Sequence, residues 1–159
     1  MNGKEILINL KASSKIKPNL EKCSVPREQG IYAFFDKNNE IMYVGCAWGE
    51  QGLYGRIIKK HLNENYLEYR EEKHIKGKDD FQLKNTINKN GKNYIDKSAL
   101  RKNLGRILSL KPGYETVSYI LTNFEFAYTI LNKITKDELL NLEKEVISLS
   151  SPIYNIQGR

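Results

Sequence analysis

The sequence predicts an α+β domain: a small three-stranded antiparallel sheet flanked by helices, with a long basic helical insertion between the first helix and the third strand. Three observations carry this expectation. Two short runs rich in Ile, Tyr, Phe and Val, at 30–35 and 40–45, flank Asp36-Lys37-Asn38-Asn39, which is turn chemistry. Apolar residues recur at helical spacing in later segments. A chain of 159 residues, 40% hydrophobic and 28% charged, suits one folded core.

The elements follow in order. Residues 1–29 read as an N-terminal lead-in with a helical turn or two, interrupted by Pro18 and Pro26. The two tyrosine-bearing runs form an antiparallel hairpin. A four-residue loop sets Tyr32 opposite Tyr43, and a two-residue loop makes them diagonal neighbours. Either way they share one face, because side chains alternate along a strand. Residues 46–52 are a loop and 53–63 a helix, with Leu53 and Ile57 on the packing side and Arg56, Lys60 and Asn63 on another. Residues 70–80 read as a loop or ragged helix, and 81–89 as helical up to Asn90-Gly91, a C-cap or turn.

Residues 98–110 read as a helix packing through Leu100, Leu104, Ile107 and Leu108, with Lys102 and Arg106 on the opposite side. Lys111-Pro112-Gly113 ends it. Residues 117–131 read as strand, broken near Thr122-Asn123. Thr135-Lys136-Asp137-Glu138 fits a capping box and opens a helix to about Ser148. Pro152-Ile153-Tyr154-Asn155 closes the domain.

Charge is distributed unevenly. The net charge is +7, and residues 51–110 carry about that excess while the flanks nearly cancel. Residues 81–111 hold eight basic side chains against Asp96 alone. Such an excess is an electrostatic footprint for a polyanion, although lysine-rich surfaces also serve solubility. No apolar run approaches a membrane span, and the first residues lack a secretory pattern. Cys23 and Cys46 are too few for a disulfide framework, and with His61 and His74 they build no zinc cluster. The expectation is a reduced, cytoplasmic protein without a membrane partner.

Gly30-Ile31-Tyr32, ten residues, Tyr43-Val44-Gly45, ten more, then Arg56 bring two phenols and a guanidinium toward one point, a set suited to phosphate chemistry. On the 135–148 helix, Glu143 has Leu139 and Leu140 behind it and Val146 and Ile147 ahead. A carboxylate on an apolar face is costly without a partner or a metal. Glu145 neighbours Asn141 and Ser148 and reads as solvated.

These residues, with Asn155, resemble the GIY-YIG nuclease superfamily over residues 29–62 and 124–155. The second tripeptide is usually Tyr-Ile-Gly, so Val44 is a mild variant. Five matched elements in order are specific where one tripeptide would not be. The resemblance implies metal-dependent hydrolysis of a DNA phosphodiester. In that resemblance Glu143 would be the protein carboxylate that holds one Mg²⁺ (or Mn²⁺), which can keep its waters. Arg56 would grip the scissile phosphate, and Tyr43 with Tyr32 would orient or deprotonate the attacking water. His61 would be a helper base or an N–H donor, and Asn155 would fix the metal–phosphate geometry.

Two departures stand out. His61 follows Arg56 by five residues where the family pattern often has four. Cys46 stands where some relatives carry a lysine, and Lys59 or Lys60 is the candidate replacement. Trp48 is placed to stack on a base or, more ordinarily, to pack on the domain.

The whole chain, 1–159, reads as one nuclease domain whose 63–123 insertion is the DNA-grip element, with Arg101, Lys102 and Arg106 on phosphates or bases. The insertion exceeds the minimal fold and holds nearly all the excess charge. A stand-alone domain favours a restriction, phage or mobile-element context. One metal site cuts one strand, so double-strand cleavage requires a homodimer or two events. The competing readings are a non-catalytic nucleic-acid-binding module on the same fold, and a structure-specific or RNA nuclease.

Overall fold

The computed structural model describes residues 1–19, 24–71 and 85–155. Among them the fold is mixed α+β, with five helices and two three-stranded antiparallel sheets. The first sheet holds the predicted hairpin, β1 (Gly30–Phe35) and β2 (Ile41–Ala47), with β6 (Glu125–Ile130) on the other side of β1. Every residue of β1 is buried, as expected of a central strand covered on both faces.

The hairpin register makes the two tyrosines diagonal. Tyr32 pairs with Gly45 and Phe34 with Tyr43, and the register shifts between Phe34 and Phe35. This bulge lets the Asp36 turn yield the diagonal relation without a two-residue loop. The Asp36 carboxylate accepts from the backbone N–H groups of Asn38 and Glu40. The tyrosine ring centroids lie 6.4 Å apart on one face.

The N-terminal segment is more than a lead-in. Helix α1 (Gly3–Ala12) is capped by Asn2 and buries Ile6 and Leu10 in the core on one side of the sheet. Each such side chain contributes about 1.5–3 kcal/mol. Glu145 is not merely solvated, since it accepts from the Gly3 N–H at 2.8 Å and ties α1 to the last helix.

Helix α2 begins at Gly52–Tyr54 and continues as a π-helical segment, Gly55–His61. Its signature is the Leu62 N–H donating to the Ile57 carbonyl, five residues back, at 3.0 Å.

The insertion is only partly helical. Strands β3 (Leu67–Tyr69), β4 (Ile87–Lys89) and β5 (Lys92–Asp96) form the second sheet in the order β3-β5-β4. Asn90 and Gly91 have φ of 56° and 80°, so they make a two-residue hairpin turn rather than a helix C-cap. Ile87–Lys89 is therefore strand, while the expectations for 72–84 lie outside the described residues.

Helix α3 (Ala99–Leu108) starts at Ser98, whose hydroxyl accepts from the Arg101 N–H. Its buried face is Leu100, Arg101, Leu104 and Gly105, whereas Ile107 and Leu108 are exposed. Helix α4 (Tyr114–Asn123) replaces the strand expected from residue 117. Thr116, Val117 and Ile120 face inward at helical spacing, so tertiary packing overrides their β-branched preference. The break expected near Thr122-Asn123 is the junction of α4 and β6. Helix α5 (Lys136–Ser150) carries the predicted capping box between Thr135 and Glu138.

Arg101 is 0% exposed and cannot reach nucleic acid, which corrects its expected role. Its guanidinium pairs with the buried Asp96 and donates to the carbonyls of Lys60 (2.8 Å) and Asn63 (2.6 Å) and to the Thr116 hydroxyl (3.3 Å). Asp96 also accepts from the Gly113 N–H and the Thr116 hydroxyl. This network joins the second sheet, α3, α4 and the π segment. Removing one partner of such a pair strands a buried charge. Asp96→Ala is therefore expected to lower stability by about 3–5 kcal/mol in urea unfolding, and a loss below about 1 kcal/mol would show that the network is not holding the insertion in place.

Candidate active site

The five site side chains from the hairpin, the π segment and α5 meet in one cavity of about 270 Å³. Tyr32 and Tyr43 come from β1 and β2, Arg56 and His61 from the π segment, and Glu143 from α5. Lys60 lines the same cavity. Asn155, Lys59, Lys102 and Arg106 are not among its lining residues, and neither is the buried Arg101.

Tyr32 is 1% exposed and reaches across its partner strand. A Cβ at Gly45 would stand 2.3 Å from the Tyr32 hydroxyl oxygen, so only glycine leaves room for the phenol. The Tyr32 Oη lies 2.6 Å from His61 Nε2, and His61 Nδ1 lies 2.7 Å from Ser98 Oγ. The phenol, imidazole and hydroxyl thus form one buried chain from the sheet to the N-cap of α3.

The five-residue spacing of Arg56 and His61 finds its explanation in the π turn. In an α-helix, residue i+5 points well away from residue i. A π turn carries one more residue, so His61 returns to the face of Arg56. His61 is 3% exposed rather than superficial.

Burial, then Arg56, Arg101 and Lys60, pull the His61 pKa down to about 3. The ring is neutral at physiological pH and can accept on one nitrogen while donating from the other. Burial also raises both phenols well above the usual tyrosine value, with Arg56 opposing it. The Tyr43 phenol is pushed up further by the charge of Glu143. Both phenols are protonated at neutral pH, which suits them to orient water by hydrogen bonding.

Arg56 lies with its Cζ 4.9 Å from the Trp48 ring centroid, and Lys136 Nζ lies 4.4 Å from that same ring. Trp48 packs against the core through part of its surface and also lines the cavity. Of the two roles expected for it, the structure displays the packing.

Glu143 sits as its neighbours predict. Leu139 and Val146 are fully buried and Leu140 and Ile147 partly so. It is the one carboxylate among the described residues that line the cavity. Burial raises its pKa, although the Cys46 thiol and N–H and the Arg56 charge work the other way. Cys46 thus faces the carboxylate as a buried free thiol, its own pKa raised by burial and by Glu143.

Among the described residues, no three His, Cys, Asp or Glu side chains converge to cage a metal. The donor set is a single carboxylate whose desolvation its protein donors do not fully offset, beside a cavity with room for water. That fits a hard divalent ion that keeps most of its waters.

Asn155 acts differently from its expected role. It is buried, its Oδ1 accepts from the Val44 N–H and its Nδ2 donates to the Val44 carbonyl, both at 2.8 Å. With the Tyr154 N–H on the Met42 carbonyl, it closes the outer edge of β2. Asn155 therefore positions Tyr43 and Gly45 from behind.

Tyr66, Lys97, Ser98 and Ala99 complete the wall and come from the insertion. Sequence reasoning missed them as site residues. Ser98 carried a legible signal as an N-cap ahead of an apolar-periodic run, but Lys97 is one basic residue among many.

Lowering pH protonates His61 in the unfolded chain near pH 6.5 but in the folded one only near 3, so stability falls across that window. From about pH 7 to about pH 5 the wild type should lose about 2 kcal/mol more than His61→Gln in urea unfolding. Equal slopes would mean that the folded imidazole takes the proton readily. Compared with family models, with curated proteins and with solved structures, the chain shows no match.

Proposed function

We propose that the chain is a metal-dependent DNA endonuclease of the GIY-YIG type, hydrolysing phosphodiester bonds in the cavity between the hairpin, the π segment and α5. The supporting observation is the convergence of Tyr32, Tyr43, Arg56, His61 and Glu143, far apart in sequence, on one cavity. A core would not gather a guanidinium, two ammonium groups and a single carboxylate around open space without an anion to receive.

Arg56, braced on Trp48, donates to the non-bridging oxygens of the scissile phosphate and stabilises the charge that grows there. Tyr43 holds the attacking water by a hydrogen bond. With the His61 proton on Nδ1, Tyr32 donates to Nε2 and its oxygen accepts from Tyr43 or from that water. His61 thus sets the direction of the Tyr32 hydroxyl as a neutral hydrogen-bond acceptor and, with its pKa held near about 3, takes no proton from it. The water oxygen bonds to phosphorus as the bond to the 3′ oxygen breaks. The water proton passes to solvent and the leaving 3′ oxygen takes one from solvent, which yields a 5′-phosphate and a 3′-hydroxyl. Glu143 would hold a divalent ion, Mg²⁺ or Mn²⁺, which would supply Lewis-acid polarisation and charge neutralisation at the phosphate. The free thiol of Cys46 suits a reducing compartment such as the cytoplasm.

Incubation with supercoiled plasmid, duplex and branched DNA in Mg²⁺ tests the reading. Arg56→Ala should lower the cleavage rate by about 10²–10³-fold, and Glu143→Ala should lower it at least as far. Intact DNA in every form, with RNA cleaved instead, would move the activity to RNA. No cleavage of any substrate by the wild type would end the enzyme reading.

Lys59, Lys102 and Arg106 are assigned to flanking phosphates, outside the cavity. Lys102 and Arg106 lie on α3, with Lys102 Nζ 3.7 Å from Glu68. Replacing both by alanine should reduce the slope of log affinity against log salt by about 0.9 per lost contact, while cleavage of bound DNA stays near the wild-type rate. An unchanged slope would remove α3 from the DNA surface.

A further inference from the structure

The insertion brings a second cationic group to the cavity. The Lys97 N–H donates to the Tyr66 carbonyl at 3.4 Å where β3 and β5 begin to pair, which fixes the two residues side by side. Lys97 Nζ lies 5.4 Å and Lys60 Nζ 5.8 Å from the Tyr66 ring centroid. All three side chains line the cavity that holds Arg56.

Among the described residues, no carboxylate stands within ion-pair distance of Arg56, Lys60 or Lys97. Three like charges around one cavity repel one another unless an anion enters. Lys60 feels this, with its pKa lowered first by burial and then by Arg56 and Lys97. One phosphate can be gripped by Arg56 alone, which leaves two cations and an aromatic hydroxyl to account for.

We propose that Lys60 and Lys97, held about Tyr66, form a second phosphate subsite that takes a non-scissile phosphate next to the one gripped by Arg56. This deepens the nuclease reading and rests on it. The substrate is then a polynucleotide strand presenting successive phosphates, rather than an isolated phosphodiester or a mononucleotide. The insertion supplies part of the site itself, beyond any outer grip on DNA.

Trp48 is the single tryptophan of the chain and lines the cavity, so its fluorescence reports occupancy. Wild type, Lys97→Ala, Lys97→Arg and Arg56→Ala are titrated with thymidine 5′-monophosphate, thymidine 3′,5′-bisphosphate and a short DNA duplex. The wild type should bind the bisphosphate about tenfold more tightly than the monophosphate, as an added charge-assisted contact gives. Lys97→Ala should abolish that preference, keep monophosphate affinity within about twofold, and reduce the salt slope on duplex by about 0.9. Lys97→Arg should retain the preference, and Arg56→Ala should weaken both nucleotides.

If Lys97→Ala keeps both the preference and the slope, the subsite falls while the nuclease reading stands. If the wild type binds none of the three ligands, both fall together.

Discussion

His61 joins three parts of the molecule through one buried ring. Its Nε2 meets a phenol that crosses the main sheet, its Nδ1 meets the hydroxyl that caps α3, and its backbone belongs to the π segment. Burial first, and then the nearby Arg56, Arg101 and Lys60, keep the ring neutral, so that it accepts on one nitrogen and donates from the other. Several other features depend on this contact. Position 45 must be glycine because the phenol passes through the space a Cβ would fill. The helix must take a π turn so that a histidine five residues after Arg56 can face the same cavity. The insertion must stay docked so that Ser98 is in reach, and the buried Arg101–Asp96 pair with its backbone acceptors holds it there.

The electrostatics of the cavity follow from that arrangement. Cations from two elements, Arg56 and Lys60 from the π segment and Lys97 from the insertion, face a single carboxylate from α5. Burial holds the phenols protonated and raises the carboxylate, while Arg56 opposes both effects. The site is thus organised to receive negative charge, with hydrogen-bond donors arranged in advance. Cys46 and Asn155 serve this organisation indirectly. The first faces Glu143 from β2, and the second pins the outer edge of that strand at Val44.

Some of this was legible because it depends on local pattern. The alternation of the hairpin, the capping box of α5 and the apolar frame around Glu143 are short-range features that survive into the fold. The insertion departs from its local sequence pattern where contacts across distance prevail over propensity. Residues 117–123 look like strand but coil into a helix because Thr116, Val117 and Ile120 share a buried face. Arg101 looks like a surface cation because its acid partner is five residues back and its other acceptors are backbone carbonyls of the π segment. No count of leucines could turn α3 so that an arginine faces inward and Ile107 outward.

By itself the sequence determined that two phenols and a guanidinium belong together and that one glutamate sits on an apolar helix face. These follow from strand alternation and helical spacing, which act over a few residues. Packing settled which partners those groups meet: the diagonal register of the tyrosines, the burial of His61 and Arg101, the retreat of Asn155 to the edge of β2 and the arrival of Lys97 at the cavity. Those outcomes depend on which elements share a core, since a buried polar group stays only where another part of the chain supplies its hydrogen bonds.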